Sequence, residues 1–285
     1  MKVVNSWCKN FDIIGELGEG GNAKVYHVKE KSTLEEFALK ELYNKTTEKK
    51  ARFIQEMDIA KKYSPIIPGI IPIIISCEEE YWYTMPIAIK IQDYIKDKQI
   101  QDIVSGVVQL TETLVELHEK GISHRDIKPS NIYLYDNRFS FGDFGLVDFP
   151  ENTDDFTRSD KGLGAIFTIA PEMKRDPKHA DAKKADVFSL AKTLWMFLSE
   201  DNRGFDGVYN YLDSSHSLRC IDKYTDTHLV EIDELLKEAT DNNPKLRPTI
   251  RLFKDRLIEW IDIYDDFDKS QASDWNFLKK QLFGT

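Results

Sequence analysis

Apolar residues change their period near residue 86, and this divides the chain into two unlike parts. Over residues 11–26 they alternate with polar ones around a glycine cluster, and residues 37–42 add a short apolar run, so the first forty residues predict hairpin strands. Residues 47–62 switch to helical spacing, with Phe53, Met57 and Ala60 on one side and Lys, Arg and Glu on the other. β-Branched or aromatic runs at 70–75 and 81–85 predict two further strands, and Pro86 closes this small, strand-rich part.

Beyond Pro86, Ile103, Val107, Leu110, Leu114 and Leu117 step along one helix face until Gly121 ends it. Residues 187–198 are apolar almost all round, so this helix is expected to run through the core of the second part. Amphipathic helices are predicted over 229–239 and 250–264, with Asn242-Asn243-Pro244 and Arg247-Pro248 marking the loop between them. The fold class this implies is α+β. After residue 265 the chain turns polar around Asp266, Asp268 and Lys269, and residues 266–285 are expected to form a surface helix, a tail or the start of a linker.

Composition narrows the function classes. Of 285 residues, 41% are hydrophobic and 31% charged, with only 14 Gly and 10 Pro, which excludes the disordered and collagen-like classes. A formal net charge of −10 opposes nonspecific binding to nucleic acid or anionic membranes, and no nucleic-acid partner is expected. Cys8, Cys77 and Cys220 are an odd number without CxxC spacing, which points to a reducing, cytoplasmic setting rather than to disulfides or zinc. The greasiest stretch, residues 66–75, is broken by Pro68, Gly69 and Pro72, so no membrane segment is expected.

Three sites carry candidate chemistry. Gly18-Glu19-Gly20-Gly21-Asn22-Ala23-Lys24-Val25 lies between two strands, where glycines let backbone amides approach phosphate oxygens; by itself the string also suits a plain tight turn. Lys40 sits in an apolar strand and needs an anionic partner, for which Glu56 on the following helix is the natural candidate; a snorkelling lysine and a solvated glutamate are the bland alternative. The third site is His124-Arg125-Asp126-Ile127-Lys128-Pro129-Ser130-Asn131, followed by Asp143-Phe144-Gly145 and then Ala170-Pro171-Glu172.

In this order, these strings resemble the eukaryotic-type (Hanks-type) serine/threonine protein kinases across roughly residues 11–263, with a bacterial flavour around residues 187–195. The resemblance implies a bilobal fold over 11–265, with an N-lobe at 11–85, a hinge at 86–90 and a C-lobe at 91–265. It implies phosphoryl transfer from ATP to Ser/Thr hydroxyls of a protein substrate, with Mg²⁺ (or Mn²⁺) as metal. Asp126 would be the catalytic base and Lys128 would steady the γ-phosphate. Lys40, oriented by Glu56, would bind the α and β phosphates, while Asn131 and Asp143 would hold the metal. The adenine pocket would comprise Leu17, Gly18, Glu19, Gly20, Gly21, Asn22, Ala23, Val25 and Ala38, the gatekeeper Met85, the hinge residues Pro86, Ile87 and Ala88, and Tyr133 as floor. Phe144 and His124 would be packing residues, Glu172 and Arg247 an ion pair, and Asp186 the acceptor for the backbone of the 124–125 turn.

Departures from the family pattern are Ala23 for the third loop glycine, Tyr133 for an aliphatic floor, and Ala165 where a threonine is usual. Arg125, with Arg158 and Lys161, suggests a phosphate on the activation segment, and Thr157 and Ser159 are the candidate sites of autophosphorylation. Two other readings stand beside an active protein kinase: a pseudokinase-like nucleotide-binding module, and a kinase acting on a small molecule.

Overall fold

The computed structural model describes residues 6–146 and 163–283. Its smaller lobe begins with β1 (Phe11–Glu19), β2 (Ala23–Glu30) and β3 (Glu36–Leu42), followed by α1 (Thr47–Tyr63), β4 (Ser76–Cys77) and β5 (Trp82–Met85). The five strands form one antiparallel sheet in the order β1-β2-β3-β5-β4. α1 is capped by Thr46, whose side chain accepts from Lys49 N, and it buries Phe53 and Met57 against Leu42 and Tyr83 of the sheet. That contact seats α1 on the face of β3 and β5.

The predicted strand over 70–75 is a correction. These residues form no strand: Ile70 makes an isolated bridge to Phe141, contact with β5 is limited to Ile74 N donating to Thr84 O at 2.9 Å and Thr84 N donating to Ile75 O at 2.7 Å, and β4 is confined to Ser76–Cys77. Pro72 has no N–H to donate, and the Thr84 hydroxyl accepts from Ile75 N, which displaces the regular ladder beside β5. The segment instead ties the lobes together: Phe141 N donates to Gly69 O at 2.8 Å, and Ile71 N to Phe141 O at 3.2 Å. Gly69 has φ +89°, and a Cβ there would lie 2.2 Å from Thr113 Oγ1, so glycine is required at this crossing.

The larger lobe opens with β6 (Ile89–Lys90), α2 (Ile91–Tyr94) and α3 (Ile100–Glu119), followed by β7 (Ile132–Tyr135) and β8 (Arg138–Phe141). Strands β6, β7 and β8 form a small antiparallel sheet. The remaining helices are α4 (Leu163–Thr168), α5 (Pro171–Arg175), α6 (Ala182–Ser199), α7 (Val230–Ala239), α8 (Ile250–Tyr264) and α9 (Phe267–Phe283). α6 is capped by Asp181 and is buried continuously from Ala185 to Leu198, as its all-round apolar pattern predicts. Its one lysine in that stretch, Lys192, is satisfied internally, donating to Phe205 O at 2.8 Å and Gly207 O at 2.7 Å. Among the described residues, no helix is long and apolar enough to cross a membrane.

Two charged contacts hold the periphery of this lobe. The side chain of Arg247, fully buried, forms a bidentate pair with Glu172 at 2.5 and 2.8 Å and also donates to Asp241 O at 2.7 Å. Of the alternatives for the tail, the helix forms, as α9 over Phe267–Phe283. It docks through His228, whose Nδ1 lies 3.0 Å from Asp274 of α9 and whose Nε2 lies 2.5 Å from Glu231 of α7. Phe277 adds an edge contact to Tyr211, and the Arg219 guanidinium lies over both rings.

Both contacts generate expectations. Arg247→Met leaves Glu172 without its partner and should lower stability by about 3–5 kcal/mol in urea unfolding, with part of the loss restored by adding Glu172→Gln. Burial works against charge on His228, but Glu231 and Asp274 outweigh it and hold the pKa above the ordinary histidine value. A raised folded pKa means that the stabilisation is complete below the unfolded value and lost as pH rises through the folded one. Amide exchange over residues 267–283, corrected for intrinsic rates, should therefore quicken as pH rises from the ordinary histidine value through the raised one, and His228→Gln should remove that difference.

Candidate active site

The cleft between the lobes collects charged groups from separate elements. On β3, Lys40 stands opposite Val25 of β2 and Tyr83 of β5, and its side chain is 13% exposed. An ammonium this buried needs anionic partners, and among the described residues it has two. Lys40 Nζ donates to Glu56 Oε1 of α1 at 2.6 Å and lies 3.6 Å from Asp143 Oδ2. Burial alone would depress the Lys40 pKa; Asp143 and Glu56 more than reverse this and hold it well above the usual lysine value. The ammonium is therefore charged at all physiological pH.

Asp143 follows β8 in the left-handed backbone region, with φ 60°, and Gly145 N donates to its Oδ1 at 3.3 Å. Partial burial pushes its pKa up, but the Lys40 and Lys128 ammoniums prevail and keep it below the usual aspartate value. Phe144, next in the chain, is 2% exposed and packs against His124, with ring centroids 4.9 Å apart. His124 meets Phe141 at the same distance, and burial drives its pKa down. A neutral, enclosed imidazole is a packing group here, which agrees with the structural role expected of His124.

Asp126 lies on the turn before β7. Lys128 Nζ donates to its two carboxylate oxygens at 2.7 and 3.0 Å, and Asn131 Nδ2 donates to its Oδ2 and main-chain O, both at 2.9 Å. Burial raises the Asp126 pKa and Lys128 opposes that rise. With the Asn131 amide nitrogen committed to Asp126, its carbonyl oxygen is the atom left to face a ligand. That oxygen and the Asp143 carboxylate form a hard donor set that fits Mg²⁺.

The turn is held from below by Asp186 of α6, which has no exposed surface. Its Oδ2 accepts from His124 N at 2.8 Å, its Oδ1 accepts from Arg125 N at 2.8 Å, and His118 Nε2 is 2.9 Å from Oδ2. Arg125 adopts φ 64°, so the turn carries local strain that these bonds hold in place.

Above the cleft, Leu17, Gly18 and Glu19 belong to β1, Ala23 and Val25 to β2, and Ala38 to β3, where it faces Met85 across the ladder. Gly20, Gly21 and Asn22 form the β1–β2 turn; Gly20 N donates to Ala23 O at 2.9 Å, and Tyr43 OH donates to Gly20 O at 2.8 Å. Pro86, Ile87 and Ala88 link β5 to β6, and among the described residues no turn or loop hydrogen bond engages them. Tyr133 of β7 lies below and is half-buried; a Cβ on Gly142 would come within 3.0 Å of its ring. Thr157 and Ser159 lie outside the described residues, as does the side chain of Ala165.

Three functional contacts were not singled out in the sequence: Tyr83 on Glu56, Tyr43 on the glycine turn, and His118 on Asp186. Strand alternation offered a signal for the first, because Tyr83 and Met85 occupy one face of β5. Nothing local marks the other two.

Known proteins place this geometry. The family model described as Protein kinase domain matches residues 11–257. Serine/threonine-protein kinase 10 of Danio rerio is 29% identical over 262 residues, 84% of this chain and 26% of that protein. Serine/threonine-protein kinase AtPK2/AtPK19 of Arabidopsis thaliana is 31% identical over 208 residues, 67% of this chain and 41% of that one. The DNA damage-responsive serine/threonine-protein kinase RqkA of Deinococcus radiodurans is 28% identical over 197 residues, 65% of this chain and 29% of its own length. The chain thus spans less than half the length of each of these relatives. From its cleft and from these likenesses, it belongs to the protein kinase family, on the Hanks-type branch that such serine/threonine kinases represent.

Proposed function

We propose that this chain transfers the γ-phosphoryl group of ATP, with Mg²⁺, to serine or threonine hydroxyls of proteins, its own activation segment among them. The observation that carries the proposal is the joining of Lys40, Glu56 and Asp143 in one ion-paired cluster, beside an Asp126 held by Lys128 and Asn131. Phosphoryl transfer asks mainly for positioning and charge neutralisation, and these groups supply both.

Each residue then has a task. Lys40, fixed by Glu56, neutralises the α and β phosphates. The glycine turn closes over them: a Cβ at Gly18 or Gly21 would enter open space, so the fold itself does not demand glycine there, whereas a phosphate approaching the backbone does. Adenine lies between Leu17, Val25, Ala38 and Tyr133, with Met85 behind it and the backbone of 86–88 at its polar edge. Mg²⁺, bound by Asp143 and Asn131, supplies neutralisation of phosphate charge. Asp126 orients the acceptor hydroxyl and takes its proton as the new O–P bond forms and the bond to the ADP oxygen breaks. Lys128 steadies the γ-phosphoryl group once a nucleotide competes with Asp126 for its ammonium.

The lobes divide at residues 86–90 in this proposal, the catalytic unit covers 11–265, and Thr157 or Ser159 receives the activating phosphate. The free Cys8, Cys77 and Cys220 suit a reducing cytoplasm. A test compares the intact mass of the chain and of Asp126→Asn after incubation with MgATP. Wild type should gain phosphate mapping to Thr157 or Ser159, and the variant should be slower by roughly 10²–10⁴-fold. Equal phosphate gain by both would remove Asp126 from the mechanism, and no gain on the chain or on any peptide acceptor would favour a nucleotide-binding module.

A further inference from the structure

Tyr83 occupies a position from which it acts on the lysine–glutamate pair without touching nucleotide. It is 4% exposed and lies directly across the β3–β5 ladder from Lys40. Its hydroxyl donates at 2.8 Å to Glu56 Oε1, the same oxygen that receives the Lys40 ammonium at 2.6 Å. Its ring packs on Phe53, one helical turn before Glu56, with centroids 5.4 Å apart, and lies 5.9 Å from Lys40 Nζ. Among the described residues, Lys40 and Tyr83 are the two hydrogen-bond donors to Glu56.

A buried glutamate with a single donor has rotamers that swing the carboxylate away from its partner toward water, at the cost of one hydrogen bond. A second donor on the same oxygen, mounted on a central strand rather than on the helix, removes that freedom. Burial and the Glu56 charge also hold the Tyr83 phenol well above the usual tyrosine value, so it remains a donor throughout the physiological range.

We propose that Tyr83 is a positioning residue: its hydroxyl fixes Glu56 in the rotamer that pairs with Lys40, so the sheet itself holds α1 in the paired arrangement. This rests on the reading of Lys40 as the phosphate-binding lysine. The consequence is specific to phosphates, because Tyr83 acts through Glu56 and Lys40 and not through the adenine pocket.

The experiment compares wild type with Tyr83→Phe, which keeps the ring and its packing on Phe53, and with Tyr83→Leu in case the phenylalanine repacks. Rates are measured on a degenerate Ser/Thr peptide pool, and affinities for MgADP and adenosine by calorimetry. In Tyr83→Phe, kcat/KM for ATP should fall roughly five- to tenfold, with KM for the peptide pool unchanged. MgADP should bind more weakly while adenosine, which has no phosphate, binds as before. In a Glu56→Gln background, Tyr83→Phe should add less than about a twofold effect, because the carboxylate it positions is gone.

Wild-type values in both Tyr83 variants would overturn the proposal, as would an undiminished effect in the Glu56→Gln background. Equal losses for adenosine and MgADP would assign Tyr83 a packing role only, again against the proposal. A wild-type chain that neither binds MgADP nor phosphorylates peptides would instead sink the function on which the inference rests.

Discussion

An ammonium buried in an apolar strand must be neutralised, and the smaller lobe is arranged around that requirement at Lys40. Its partners come from three places: Glu56 from α1, Asp143 from the segment after β8, and Tyr83 from β5 through Glu56. The two carboxylates neutralise the ammonium, and the neutral Tyr83 hydroxyl satisfies the Glu56 oxygen that Lys40 shares. α1 therefore has to lie across β3 and β5, and the loop after β8 has to rise to the lobe interface. In the proposed function, a divalent cation held by Asp143 would release the Lys40 ammonium to phosphate, with Glu56 still paired to it.

The larger lobe answers a different need, which is to hold a strained turn still. Asp186 does this from the buried helix α6, accepting from two successive backbone amides of a turn in which Arg125 is left-handed. His124 stays neutral between Phe141 and Phe144 and joins that turn to the segment carrying Asp143. Asp126 and Asp143 are thus registered against each other through packing, not through a direct bond. Arg247 and Glu172 secure the opposite side of α6, where α5 and the loop before α8 meet.

Much of this was legible from the chain alone, for identifiable reasons. The strands, the amphipathic helices and the buried α6 follow from periodicity, and the residues proposed to carry the chemistry come from strings whose spacing that chemistry would constrain. The stretch over 70–75 misled because β-branched residues signal extended backbone, whereas pairing also needs N–H groups, which Pro72 lacks and the Thr84 hydroxyl diverts. Lys192 was masked by its apolar neighbours, since its carbonyl partners come from a loop more than a dozen residues away. The tail's fate was open in the sequence because what docks α9 is a set of partners on other elements, His228 for Asp274 and Tyr211 for Phe277. Tyr83 was passed over because it belongs to no motif string: its contact with Glu56 joins β5 to α1 across 27 residues of chain.

The account's central claim is that the cleft is a preassembled site for nucleotide phosphates and a divalent cation, with Asp143 the group they share. The most direct measurement is the calorimetric affinity for ATP with and without Mg²⁺, in the wild-type chain and in Asp143→Asn. The account predicts that Mg²⁺ tightens ATP binding by about tenfold or more in wild type, and that most of this gain disappears in the variant. Binding that is indifferent to Mg²⁺ in wild type, or a gain that survives intact in Asp143→Asn, would contradict it.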